Sequence, residues 1–156
     1  MIFLDLNRCG KEKSEYKRIC CIFTLMNNKG NYINNWIEQA EDDWRAVNAL
    51  FQGKNYLQSL FFGHLVIEKL CKALWIKHND SNIPPRTHNL LFILSKVPIN
   101  VPEDKSELLL KLNRFQLESR YPENIAEIKN ICDQKYTSGM INEINNLKQW
   151  LLEMLQ

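Results

Sequence analysis

The stretch Phe62-Gly63-His64-Leu65-Val66-Ile67-Glu68-Lys69-Leu70-Cys71-Lys72-Ala73-Leu74 decides how this chain folds. It sits inside a longer run, from Tyr56 to about His78, whose apolar residues include Leu57, Leu60, Phe61, Phe62, Leu65, Val66, Ile67, Leu70, Leu74, Trp75 and Ile76. On a helix these positions cover far more than one face. Such a helix needs neighbours on at least two sides, so it is expected at the centre of a bundle, with part of it turned toward a second subunit. Asn55 is its expected N-cap.

Working outward, Trp36, Ile37, Ala40, Trp44, Val47 and Phe51 recur at three-and-four spacing, which predicts a helix over residues 32–51. Glu38, Glu41, Asp42 and Asp43 fall on its other side, and Gly53 ends it. Downstream, Asn79 to Arg86 contains Pro84-Pro85 and reads as a loop. Thr87 is the expected cap of a short third helix over 89–96, and Pro98 and Pro102 bracket the next connection. A fourth helix is expected over 103–120, carrying Leu108, Leu109, Leu112, Phe115 and Leu117, and stopping before Pro122. Residues 121–137 read as a loop with a short helical piece around 125–131. A fifth helix begins near Ser138 with Ile141, Ile144, Leu147, Leu151 and Leu155 on one face. Strict apolar alternation is nowhere sustained, so the expected fold is all-α, a single bundle of about five helices.

Residues 1–30 show no sustained helical or strand period, and they are expected to form a poorly structured extension before a bundle over 31–156. Met26, directly before Asn27-Asn28-Lys29-Gly30, is a candidate natural start, which intact-mass measurement of the native protein would test. With 156 residues, 45% hydrophobic and 24% charged, the composition is that of one globular domain and not of a disordered chain. The net charge of +2 argues against a general nucleic-acid binder, so any anion site must be local. Cys9, Cys20, Cys21, Cys71 and Cys132 form no C-x-x-C pair and read as reduced thiols of a cytoplasmic protein. No apolar run approaches the roughly 18 residues needed to span a bilayer, so no membrane association is expected.

Three segments together carry a family resemblance. The Phe62–Leu74 stretch resembles the hallmark of the HEPN domain (higher eukaryote and prokaryote nucleotide-binding domain), in which an aromatic and a polar pair precede an E-K-x-x-K-A-L core. Arg86-Thr87-His88-Asn89-Leu90-Leu91 is similar to the T-H-x-L segment that opens that family's third helix. Arg120-Tyr121-Pro122 is similar to its R-Y-P at the end of helix four. The resemblance covers roughly residues 32–155. It implies a bundle of about five helices that forms a homodimer and pairs with a small nucleotidyltransferase, often as a toxin–antitoxin couple, and it implies a nucleotide or RNA ligand. Many members are metal-independent ribonucleases. Their motif places a His after an Arg with four to six residues between the two. From Arg120 that ladder reaches Ile125, Ala126 and Glu127, and from Arg114 it reaches Ser119, Arg120 and Tyr121. The imidazole that would move protons is missing.

The candidate residues follow. Arg120 is the expected phosphate ligand, because a guanidinium grips phosphate in two places, although a cation at a helix C-terminus is also stabilised by the macrodipole alone. Tyr121 would pack beside the ligand or at the dimer seam. Glu68 and Lys72, spaced i,i+4, form either a surface ion pair or a partly buried pair that orders Arg120. His64 and His88 are the candidates to replace the missing catalytic imidazole, against the plainer roles of sharing a helical face with Glu68 and of orienting a helix start. Lys69 reads as solvated. The three histidines stand singly, with no carboxylate at ligand spacing, so neither a metal nor another cofactor is expected. The leading expectation is a binding module for a nucleotide, RNA or a nucleotidyltransferase. The alternatives are a ribonuclease toxin with a non-standard site and a ligand-free helical scaffold.

Overall fold

The computed structural model describes residues 6–118 and 128–156, with side chains over 29–117 and 128–156. Its helices are α1 (Leu6–Gln52), α2 (Tyr56–His78), α3 (Leu90–Leu94), α4 (Glu103–Glu118) and α5 (Gln134–Leu155). The backbone is also helical over 128–131, within the span where a short piece was expected, and no strand occurs among the described residues. The all-α expectation therefore holds.

α2 is central. It packs against α1, α5, α4 and α3, in decreasing order of extent. Leu60, Val66, Ile67, Leu70, Leu74 and Ile76 have no solvent exposure, and each such burial stabilises by about 1.5–3 kcal/mol. α1 supplies Ala40 and Val47 to the same core, α4 supplies Leu109 and Leu112, and α5 supplies Ile144, Leu147 and Leu151. Leu117 departs from its expected place on the buried face of α4: it is 57% exposed, and the buried position beside it is taken by Gln116. Among the described residues no helix is long and apolar enough to cross a membrane.

The helix ends show where local chemistry was legible. α1 extends N-terminally of the expected 32–51, through Gly30 to Leu6, although the apolar period begins only near Trp36. Backbone helix needs only adequate propensity, whereas the period reports which residues find a core to pack against. At its other end, Gly53 N donates to Ala49 O (2.9 Å) and Asn55 N to Leu50 O (2.8 Å), and the left-handed residue that reverses the chain is Lys54, at φ 59°, not Gly53. Asn55 occupies the N-cap position of α2 but makes no side-chain cap bond, because its Nδ2 turns to Gly53 O at 3.2 Å. α3 is capped by Asn89, whose Oδ1 accepts from Phe92 N at 3.1 Å, and not by Thr87, whose Oγ1 accepts from Asn89 N one step earlier. α5 begins four residues before Ser138 because Asp133 caps it, accepting from Tyr136 N at 2.7 Å.

Two close contacts fix α2 against its neighbours. Ser59 Oγ donates to Val47 O at 2.8 Å in a buried α1–α2 contact. Gly63 lies under Ile144 of α5 so closely that a Cβ there would stand 2.7 Å from Ile144 Cδ1. The acidic side of α1 is also used for packing. Asp43 meets Lys69 at 2.6 Å, so Lys69 is a bridging residue between α1 and α2 and not simply solvated. Glu41 holds the buried Lys148 of α5 at 2.8 Å, with the Lys148 ammonium 4.9 Å from the centroid of the Trp44 ring.

Candidate functional site

The polar residues of α2 converge on Glu68. One carboxylate oxygen, Oε1, accepts from Lys72 Nζ at 2.6 Å. The other, Oε2, lies 3.2 Å from His64 Nε2 and 2.9 Å from His88 Nδ1. His64, Glu68 and Lys72 share one face of α2 by their i,i+4 spacing. His88 arrives from the connection between α2 and α3, whose end Asn113 of α4 holds by accepting from Leu90 N and donating to Asn89 Oδ1. The sequence therefore named all four members, and the fold brings them together. The Glu68–Lys72 pair is buried, not a surface pair, and it is shared with both imidazoles.

Burial would push the Glu68 carboxyl upward, but donation from His64, Lys72 and His88 outweighs it and holds the group at about 2, below its ordinary 4.5. Glu68 is thus ionised near neutral pH and can only accept. Both ring nitrogens facing it must carry hydrogen: Nε2 of His64 and Nδ1 of His88. This leaves the other nitrogen of each ring for other work. His64 is fully buried, and its Nδ1 has no partner among the described residues. The His88 side chain is 51% exposed and lines a cleft of about 370 Å³ with Thr87, Asn89, Asn113, Gln116 and Leu117. The Lys72 ammonium lies 5.4 Å from the centroid of Trp36, which covers the pair from the α1 side.

The far wall of the cleft comes from the C-terminal part of α4. Asn113 Oδ1 accepts from Leu90 N at 3.1 Å and its Nδ2 donates to Asn89 Oδ1 at 3.3 Å, which locks α4 to the start of α3. Sequence reasoning missed Asn113 and Gln116. A signal was available: Asn is a poor residue for a helix interior, and here it sits among the leucines of an amphipathic helix. Arg120 and Tyr121, the expected ligand residues, lie outside the described residues, so the expected coupling of Arg120 to the Glu68–Lys72 pair does as well.

The reading that the histidines stand singly is corrected by the fold. His64, Glu68 and His88 offer two imidazole nitrogens and a carboxylate oxygen, all within 4.8 Å of one another. Donors of this kind suit a divalent transition metal. An ion there would have to displace both N–H hydrogens and share Glu68 with the Lys72 ammonium, which already balances the carboxylate.

Cys71, one turn of α2 from these residues, is fully buried; burial and then the Glu68 charge push its thiol strongly upward. Burial likewise raises Cys132, to about 11. Neither is a nucleophile at neutral pH.

An all-α bundle whose central helix carries the E-K-x-x-K-A-L core, with a T-H segment folded back onto its Glu, defines a family. The HEPN domain model matches residues 33–155, and the chain belongs to the HEPN domain family. No curated protein and no solved structure matches the chain.

Proposed function

We propose that this domain binds a phosphate-bearing nucleotide or RNA strand in the cleft beside His88, and that it does so as a homodimer working with a nucleotidyltransferase partner in a toxin–antitoxin type of pair. The observation that carries the binding reading is the placement of His88. A buried, ionised Glu68 fixes one ring nitrogen, and the half-exposed ring borders a cleft with hydrogen-bonding walls. A half-exposed imidazole and side-chain amides on one concave surface are polar groups of the kind that orient a nucleotide in a pocket. In the sequence Arg120 comes three positions after Leu117, which is on the cleft wall. The reading assigns Arg120 to the phosphate, Tyr121 to packing beside the ligand, and Glu68 with Lys72 to holding His88 in place. The dimer and the partner are taken from the family resemblance. Leu110 and Leu117, seven residues apart on one side of α4 and each 57% exposed, support a subunit contact there.

The test uses thermal unfolding of the purified chain with ATP or a short single-stranded RNA. A ligand at about 100 times its Kd stabilises the native state by about 2.7 kcal/mol, and Arg120→Ala and His88→Ala are expected to lose most of that gain. Absence of stabilisation by either probe at millimolar concentration would favour the ligand-free scaffold. Co-expression with the product of an adjacent nucleotidyltransferase gene tests the partner: two folded proteins that elute separately would reject it.

A further inference from the structure

We infer that His64, Glu68 and His88 bind a divalent transition-metal ion of the zinc class, which clamps the segment carrying His88 onto α2. This site stands apart from the nucleotide reading, and its support is the donor set and its spacing. One nitrogen of each imidazole and one oxygen of Glu68 lie within 4.8 Å of one another, drawn from a helix and from the connection that follows it. Ligand bonds of about 2.0–2.2 Å in a tetrahedron put neighbouring donors roughly 3.3–3.5 Å apart. Here Glu68 Oε2 is 3.2 Å from His64 Nε2 and 2.9 Å from His88 Nδ1, so an ion fits once the half-exposed His88 ring moves slightly outward.

Two further features suit an ion. Lys72 Nζ donates to Glu68 Oε1 at 2.6 Å and leaves Oε2 to the metal, an orienting hydrogen bond of the kind that ligating carboxylates keep. His64 is fully buried, yet its hydrogen bonding is thin: Nε2 meets Glu68 at the long limit of an N–H···O bond, and Nδ1 has no partner among the described residues. Coordination at Nε2 therefore replaces a weak contact, and moving the ring hydrogen to Nδ1 gives up no bond on that side. At His88 the hydrogen moves from Nδ1 to Nε2, so the ring meets the cleft as a donor, in keeping with a part in holding an anionic group there. The exposed side of His88 gives the ion its path from solvent, and three protein ligands leave a fourth position for water. The opposing influence is the Lys72 ammonium, whose charge sits on the same carboxylate. It weakens the attraction for a second cation, so the ion is exchangeable and a chelator removes it.

The experiment uses the untagged full-length protein, freed of metal by chelator and dialysed, with Zn²⁺ and Co²⁺ as probes. Calorimetric titration should show a single site per chain. Zn²⁺ should raise the melting temperature, and chelator should reverse the rise, because an ion that binds only the folded arrangement stabilises it. In histidine ring NMR spectra Zn²⁺ should shift His64 and His88 and leave His78, at the far end of α2, unmoved. His88→Ala removes the exposed ligand and should weaken binding at least about tenfold, since losing a hydrogen-bonding partner of a ligand already costs that much. The metal-free melting curve of that variant checks its fold; should it not fold, the wild-type ring shifts decide. No binding of either ion at millimolar concentration would overturn the site, as would undiminished binding by a folded His88→Ala or ring shifts that miss His64 and His88. Thiolate-to-cobalt charge-transfer bands would place the ion on cysteines and overturn it too.

Discussion

Glu68 concentrates the electrostatics of this bundle in one residue. Its folded-state value of about 2 lies below the ordinary 4.5, so the ionised form is favoured by folding. A depressed carboxyl contributes stability that is fully present above its unfolded value and is lost as pH falls through the folded one, here between about 4.5 and 2. The shift corresponds to roughly 3 kcal/mol. Denaturant unfolding at pH 7 and at pH 2.5 should show a loss of that order, and Glu68→Gln should remove much of this pH dependence. Glu68→Ala at pH 7 is expected to cost about 3–5 kcal/mol, because Lys72 and His64 would remain buried without their partner. The residue types of this cluster were readable in the sequence, since i,i+4 spacing puts His64, Glu68 and Lys72 on one face. That His88 joins them, and that Asp43 claims Lys69, were not, because both contacts bridge segments that only the fold brings side by side.

Among the elements, α2 shows how one small residue sets the approach of a neighbour. Gly63 leaves Ile144 the space that any side chain would take, and the conflict would begin at the first carbon. Gly63→Leu should therefore force α5 away and destabilise by about 1–3 kcal/mol or more, measured by chemical denaturation. Stability within a few tenths of a kcal/mol of wild type would show that α5 repacks freely. Element positions followed well from apolar periodicity, because burial of one face is what selects them. Ends followed less well. Lys54, Asn89 and Asp133 decide three of them through backbone geometry and capping bonds, and adjacent residues of similar propensity, Gly53, Thr87 and Ser138, were equally eligible from sequence.

For the whole molecule, the question is how much of the chain the bundle needs. The described contacts of the core begin with α1 residues from Ile37 onward, while Lys29 Nζ donates to Asn79 O at 2.8 Å. A chain beginning at Asn31 should keep a single cooperative transition and lose about 0.5–1.5 kcal/mol with that bond. Aggregation or loss of cooperativity would show that the preceding residues belong to the folding unit. The sequence by itself determined the helical class, the central place of α2 and the family, because each is written in spacing and in local motifs along one segment. Only the tertiary structure decided that the Glu68 pair is buried, that His88 is its third partner and that α4 walls the cleft beside it. Those facts depend on which distant segments meet, and a polar side chain acquires its role from the groups that close around it.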